Sequence, residues 1–136
     1  MQTLLNDIRH IIAQARERAV RSVNHELTVA YWHIGQRLVE EEQQGKERAE
    51  YGKRLVEDLS AHLTAEFGSG FSSQNLWFMR QFYLAFPILS ALRRELTWTH
   101  YKALVRLDAP DKRTFYIAEA VKKVLERFAE EHPDFE

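Results

Sequence analysis

Leu4, Ile8, Ile11, Ile12, Ala15, Ala19, Val23, Leu27, Tyr31, Ile34 and Leu38 recur mostly three or four residues apart through the first third of the chain. Positions at that spacing share one side of an α-helix, whereas a strand would need alternation at every second residue. Residues 4–38 are therefore expected to be helical, as one long helix or as two with a kink near Ser22 to Asn24, with the stripe turned inward. Arg9, Arg16, Arg18 and Arg21 lie off the stripe and read as a solvated outer face.

The rest of the chain keeps the same period. Five Gly and three Pro are all the strong punctuation there is. Glu40 to Gly45 is polar and reads as a helix exit and loop. Tyr51, Leu55, Leu59, Leu63 and Phe67 then draw a second buried face, ended by Gly68-Ser69-Gly70. Ser72 offers an N-cap oxygen to a third helix whose inward residues are Leu76, Met79, Phe82, Tyr83 and Phe86, stopped by Pro87. Ile88 to Arg94 reads as a short helical turn. Thr97 caps a fourth helix burying Trp98, Tyr101, Leu104 and Val105, and Asp108 with Pro110 opens a fifth with Phe115, Ala118, Val121 and Leu125 inward. The expected fold is all-α, with five or six helices in one domain over residues 1–125 and an acidic tail over 126–136.

At 136 residues and 45% apolar, one real core is within reach. The absence of cysteine removes disulfides, thiolate metal sites and thiol nucleophiles. Asp7, Arg9 and His10 interrupt the apolar N-terminus, and no run approaches the roughly 20 apolar residues of a membrane span, so a soluble, cytoplasmic protein is expected. The net charge of −1 conceals an uneven distribution. Without the acidic tail the chain stands at +3, and Ser72 to Lys123 holds nine basic against four acidic side chains.

The helix, Gly-containing turn and helix around Gly68 have the order of a helix-turn-helix, whose second helix can enter a DNA major groove. Ser73, Gln74, Trp77, Arg80 and Gln81 lie away from the Leu76, Met79 and Phe82 stripe. With Ser72 they suit base and phosphate contacts: Gln pairs bidentately with adenine, Arg with guanine. Two helices joined by a Gly turn also occur wherever helices simply pack, so plain packing stands beside the DNA reading. Lys102 and Arg106, four apart, could anchor phosphates or merely keep the surface soluble.

Enzyme readings find less support. The six His show no helical metal-ligand spacing, Gly68-Ser69-Gly70 lacks the Lys and Ser/Thr of a phosphate-cradling loop, and no metal or other cofactor is expected. Asp111, Glu119 and Lys122 superficially match a PD-(D/E)XK nuclease signature. The Lys is one position too far from Glu119, and the stretch reads as helix where carboxylates on adjacent strands would have to converge on a metal.

One ordered set of strings is more specific. Tyr31-Trp32-His33-Ile34-Gly35, Tyr51-Gly52, Leu59-Ser60, Phe67-Gly68-Ser69-Gly70-Phe71-Ser72, Asn75-Leu76, Met79-Arg80, Phe82-Tyr83, Leu96-Thr97-Trp98-Thr99-His100 and Arg113-Thr114-Phe115-Tyr116 occur in this sequence. Together they resemble the N-terminal domain of YhcG-like proteins, a bacterial family whose longer members continue into a PD-(D/E)XK nuclease domain. The resemblance implies a DNA-associated role for the helical part and metal-dependent cleavage for a C-terminal part. Here Val121-Lys122-Lys123-Val124-Leu125 runs into the acidic tail, so cleavage is not carried over.

The resulting expectation is a non-catalytic DNA-binding module with a helix-turn-helix, winged-helix-like core and a long N-terminal helix. It would position a nuclease or restriction-type partner on duplex DNA, as a standalone binder, a truncated gene product or a subunit that works with a nuclease in trans, and its long N-terminal helix is a candidate for pairing with a second copy. The alternative is an interaction or oligomerisation module whose working surface is the Leu4 to Leu38 stripe.

Overall fold

The computed structural model describes residues 2–45 and 49–131. All its elements are helical: α1 (Gln2–Gly45), α2 (Ala49–Phe67), α3 (Ser73–Ala85), a 3₁₀ turn (Leu89–Ala91), α4 (Trp98–Val105) and α5 (Pro110–Glu131). The all-α class and its helix order follow the sequence reading closely. No strand occurs among the described residues, so nothing there corresponds to a wing.

α1 is one helix that continues through Ser22 to Asn24. It also runs through the polar stretch Glu40 to Gly45, read from sequence as an exit. Arg37 explains part of this: its guanidinium holds Glu40 at 2.9 Å and Glu41 at 3.6 Å, pairs that only a helical backbone brings together. At about 1.5 Å per residue, 44 residues make a rod of ~66 Å, beyond the span of one small domain. Contacts group the chain into two compact units: Val29–Leu92, and residues 1–28 with 93–136.

In the unit of Val29–Leu92 the buried residues are Trp32, Leu38, Val39, Leu76, Phe78, Met79, Phe82 and Leu92. Phe78 was not among the residues expected inside. α1 and α3 approach each other tightly at Gly35, where a Cβ would overlap the Met79 carbonyl group and lie 3.2 Å from Tyr83 Cβ. Trp32 Nε1 donates to the Phe86 carbonyl at 2.6 Å, and its ring meets Tyr83 edge-on. Leu55, Leu59 and Leu63 of α2 line an apolar groove with Ile34, Leu38 and Leu76 and are only half-buried. The ends of that expected face, Tyr51 and Phe67, are exposed.

In the other unit, Leu96, Tyr101, Leu104 and Val121 are buried. The Tyr101 hydroxyl accepts from the Arg93 amide at 2.8 Å, tying α4 to the segment before it. Thr97 caps α4 as expected, and the Thr97 amide donates to His100 Nδ1 at 3.0 Å, so His100 supplies the return limb of a capping box. Burial, with the Arg127 charge adding to it, holds the His100 imidazole below its ordinary 6.5. The folded state therefore takes up fewer protons than the unfolded one, so this contribution to stability is complete above about pH 6.5 and declines as pH falls below it. Melting temperature should drop on going from about pH 7.5 to about pH 5.5, and less steeply in His100→Gln, which keeps an acceptor that does not titrate. An equal drop in both proteins would refute this role for His100.

Two expected inward faces are inward only in part. On α5 only Val121 is buried; Phe115, Ala118 and Leu125 are exposed. On α1, Leu4, Leu5, Ile8, Ile11, Ile12, Val20, Val23 and Leu27 are all exposed. The residues withdrawn from solvent are His10, Gln14, Glu17, Arg21, Asn24 and Thr28, spaced alternately four and three apart. They form one seam, and it continues through Tyr31, Gly35, Leu38 and Glu42. Hydrogen bonding makes the polar part of the seam tolerable: Thr28 donates to the Asn24 carbonyl at 2.8 Å, and Arg21 to Glu17 at 3.2 Å. α5 continues past residue 125 as far as Glu131; Asp134 and Glu136 of the acidic tail lie outside the described residues.

Candidate nucleic-acid interface

The turn before α3 depends on two glycines with left-handed backbones, Gly68 at φ 84° and Gly70 at φ 109°. Side chains with a Cβ adopt those angles only at a cost. Asn75 secures the far end, its Nδ2 donating to the Gly70 carbonyl at 3.2 Å, while Ser72 Oγ accepts from the Asn75 amide at 3.1 Å. Ser72 is thus the N-cap, as its position in the sequence led one to expect, and its oxygen is committed to the backbone.

Beyond the cap, Ser73, Gln74 and Trp77 are exposed while Leu76, Phe78 and Met79 are buried. Trp77 leaves 47% of its surface in solvent and rests edge-on against Phe78. The first turn of α3 carries no acidic residue, so the positive end of its dipole is not neutralised there.

Arg80 is placed differently from the solvent-facing cation expected. Its Nε donates to both carboxylate oxygens of Glu42, at 2.9 and 2.8 Å, and its Nη1 donates to Gln81 Oε1 at 2.7 Å. Arg80 is 31% and Glu42 18% exposed at the side chain, so the pair is largely withdrawn from water. Arg80 ties α3 to Glu42 of α1, and Gln81 Oε1 helps to hold the guanidinium in place. Glu42 escaped the sequence reading because it sits in the polar run taken for a loop; its seven-residue offset from Gly35 on the seam is the signal that could have found it.

Lys102 and Arg106 belong to the other unit. Lys102 is half-buried in the last turn of α4, and Arg106 is the exposed C-cap. Among the described residues no group of three His, Asp or Glu side chains could hold a metal ion, and no helix is long and apolar enough to cross a membrane.

These features define an all-helical module with a glycine turn leading into a half-exposed helix. Residues 7–130 match the model of the DUF1016 N-terminal domain, and the chain belongs to that family. It is 46% identical over 85 residues to the protein named putative nuclease YhcG of Escherichia coli (strain K12), a match that takes in 62% of this chain and 23% of that protein. The chain thus corresponds to less than a quarter of the length of that relative. No solved structure matches.

Proposed function

We propose that this chain is a non-catalytic DNA-contacting module of a YhcG-like nuclease system, and that it touches duplex DNA through the start of α3. The observation that carries the reading is the exposure of Ser73, Gln74 and Trp77 on a capped helix whose opposite side is buried. A helix held by its apolar side, with its N-terminal turn free of carboxylates, can approach phosphates with its dipole and base edges with a Gln amide. The name of the relative supports the DNA association, and the small share of that protein matched here agrees with cleavage lying elsewhere. Arg80 serves to fix the angle of α3, so the readers reduce to Ser73, Gln74 and Trp77. Lys102 and Arg106 are kept as candidate phosphate anchors. The restriction-type or nuclease partner, supplied in cis or trans, would perform the cutting.

A labelled duplex should bind at low salt and dissociate as salt rises, since phosphate contacts release counterions. Gln74→Ala with Trp77→Ala should weaken binding about 10-fold or more without lowering the melting temperature. Arg80→Ala should do the converse first, costing about 1–2 kcal/mol of stability by leaving Glu42 without its partner. Added Mg²⁺ should leave the duplex whole. Failure to bind any duplex at low salt, or cutting by the pure chain that a chelator abolishes, would overturn the proposal.

A further inference from the structure

α1 carries its polar seam inward and its aliphatic stripe outward over the same residues. The seam side chains from His10 to Thr28 are withdrawn from solvent, whereas the eight large aliphatic side chains between Leu4 and Leu27 are 38% to 61% exposed. Their outward surface amounts to about 700 Å² per copy, more than the roughly 300–600 Å² of the largest apolar patch on a typical monomer.

We infer that this stripe is a dimerisation face, covered by the same stripe of a second copy. A twofold axis sets one patch against itself, so two copies bring together aliphatic surfaces of equal length. The area fits: covering both stripes would bury about 1,400 Å², within the roughly 1,200–2,000 Å² of stable protein interfaces. The shape fits too. Ala15 and Ala19 lie between the bulkier Ile11–Ile12 and Val20–Val23 clusters, so two such helices can approach closely at the middle of the stripe. No part of this depends on DNA contact by α3.

Sedimentation velocity of the full chain, without DNA, tests it. The wild-type chain should sediment as a dimer at tens of micromolar. Ile12→Asp with Val23→Asp should raise the dimer dissociation constant at least about 30-fold while leaving the helical circular dichroism intact, because both positions are exposed in the single copy. The milder Ile12→Ala with Val23→Ala, which keeps helix propensity, should weaken the dimer without threatening the fold. Phe115→Asp, an exposed apolar residue on α5, should leave the dimer unchanged. A wild-type monomer throughout that range overturns the inference, as would a dimer that survives the stripe variants or that Phe115→Asp dissociates.

Discussion

Gly35→Ala is expected to cost about 3 kcal/mol or more, at the severe end for a single added methyl group. The Cβ would overlap the Met79 carbonyl, and its other near neighbour is Tyr83 Cβ. Neither is the movable end of a flexible side chain, so α1 and α3 would have to separate at Gly35. That separation would loosen the neighbours packed around it, Leu76, Met79 and Phe82, which are fully buried. Urea denaturation measures the effect directly as a lowered midpoint. An unfolding free energy within about 0.5 kcal/mol of wild type would mean that the helices slide apart freely and that the crossing is not held at Gly35.

Trp32→Ala should cost about 3–5 kcal/mol, and Trp32→Phe about 1–2 kcal/mol. The two variants separate two roles of one side chain. The ring is 5% exposed and packs on Tyr83, so truncation to Ala opens a large cavity. Phe keeps most of that packing but removes the 2.6 Å bond from Nε1 to the Phe86 carbonyl, which anchors the chain just after α3 ends. Equal stability of Trp32→Phe and wild type would show that the bond adds nothing and that packing alone orders the turn at Pro87.

These positions show where sequence reading succeeds and where it stops. Helix order, the Ser72 and Thr97 caps, the glycine turn and the Pro110 start were legible because each is a local matter. An N-cap oxygen, a positive φ and a missing amide act within a few residues of chain. Leu76, Met79 and Phe82 were legible as core because they are apolar on a short helix with one possible inside. Glu42 was not, because its partner Arg80 lies 38 residues away and neither residue signals the pairing alone.

α1 is the most instructive case. Its aliphatic stripe predicted the helix correctly and, from Leu4 to Leu27, the inward face wrongly, since periodicity reports that a helix has an apolar side without naming what covers it. The side facing the rest of the unit is a seam of His, Gln, Glu, Arg, Asn and Thr, spaced as regularly as an apolar seam would be. The surface proposed to meet DNA is narrower than the sequence suggested for a related reason: Arg80 has the right type and helical position for base contact, yet its partner carboxylate, Glu42, sits on another helix.

By itself, then, the order of residues determined that this protein is helical, the order of its helices, the caps of α3 and α4, and which family it resembles. Those properties follow from hydrogen bonding and side-chain spacing within one turn or two of chain. Only the tertiary structure decided which side of the first half of α1 faces inward and that Arg80 is paired. Each of these depends on what lies opposite a surface, and distance along the chain carries almost no information about that.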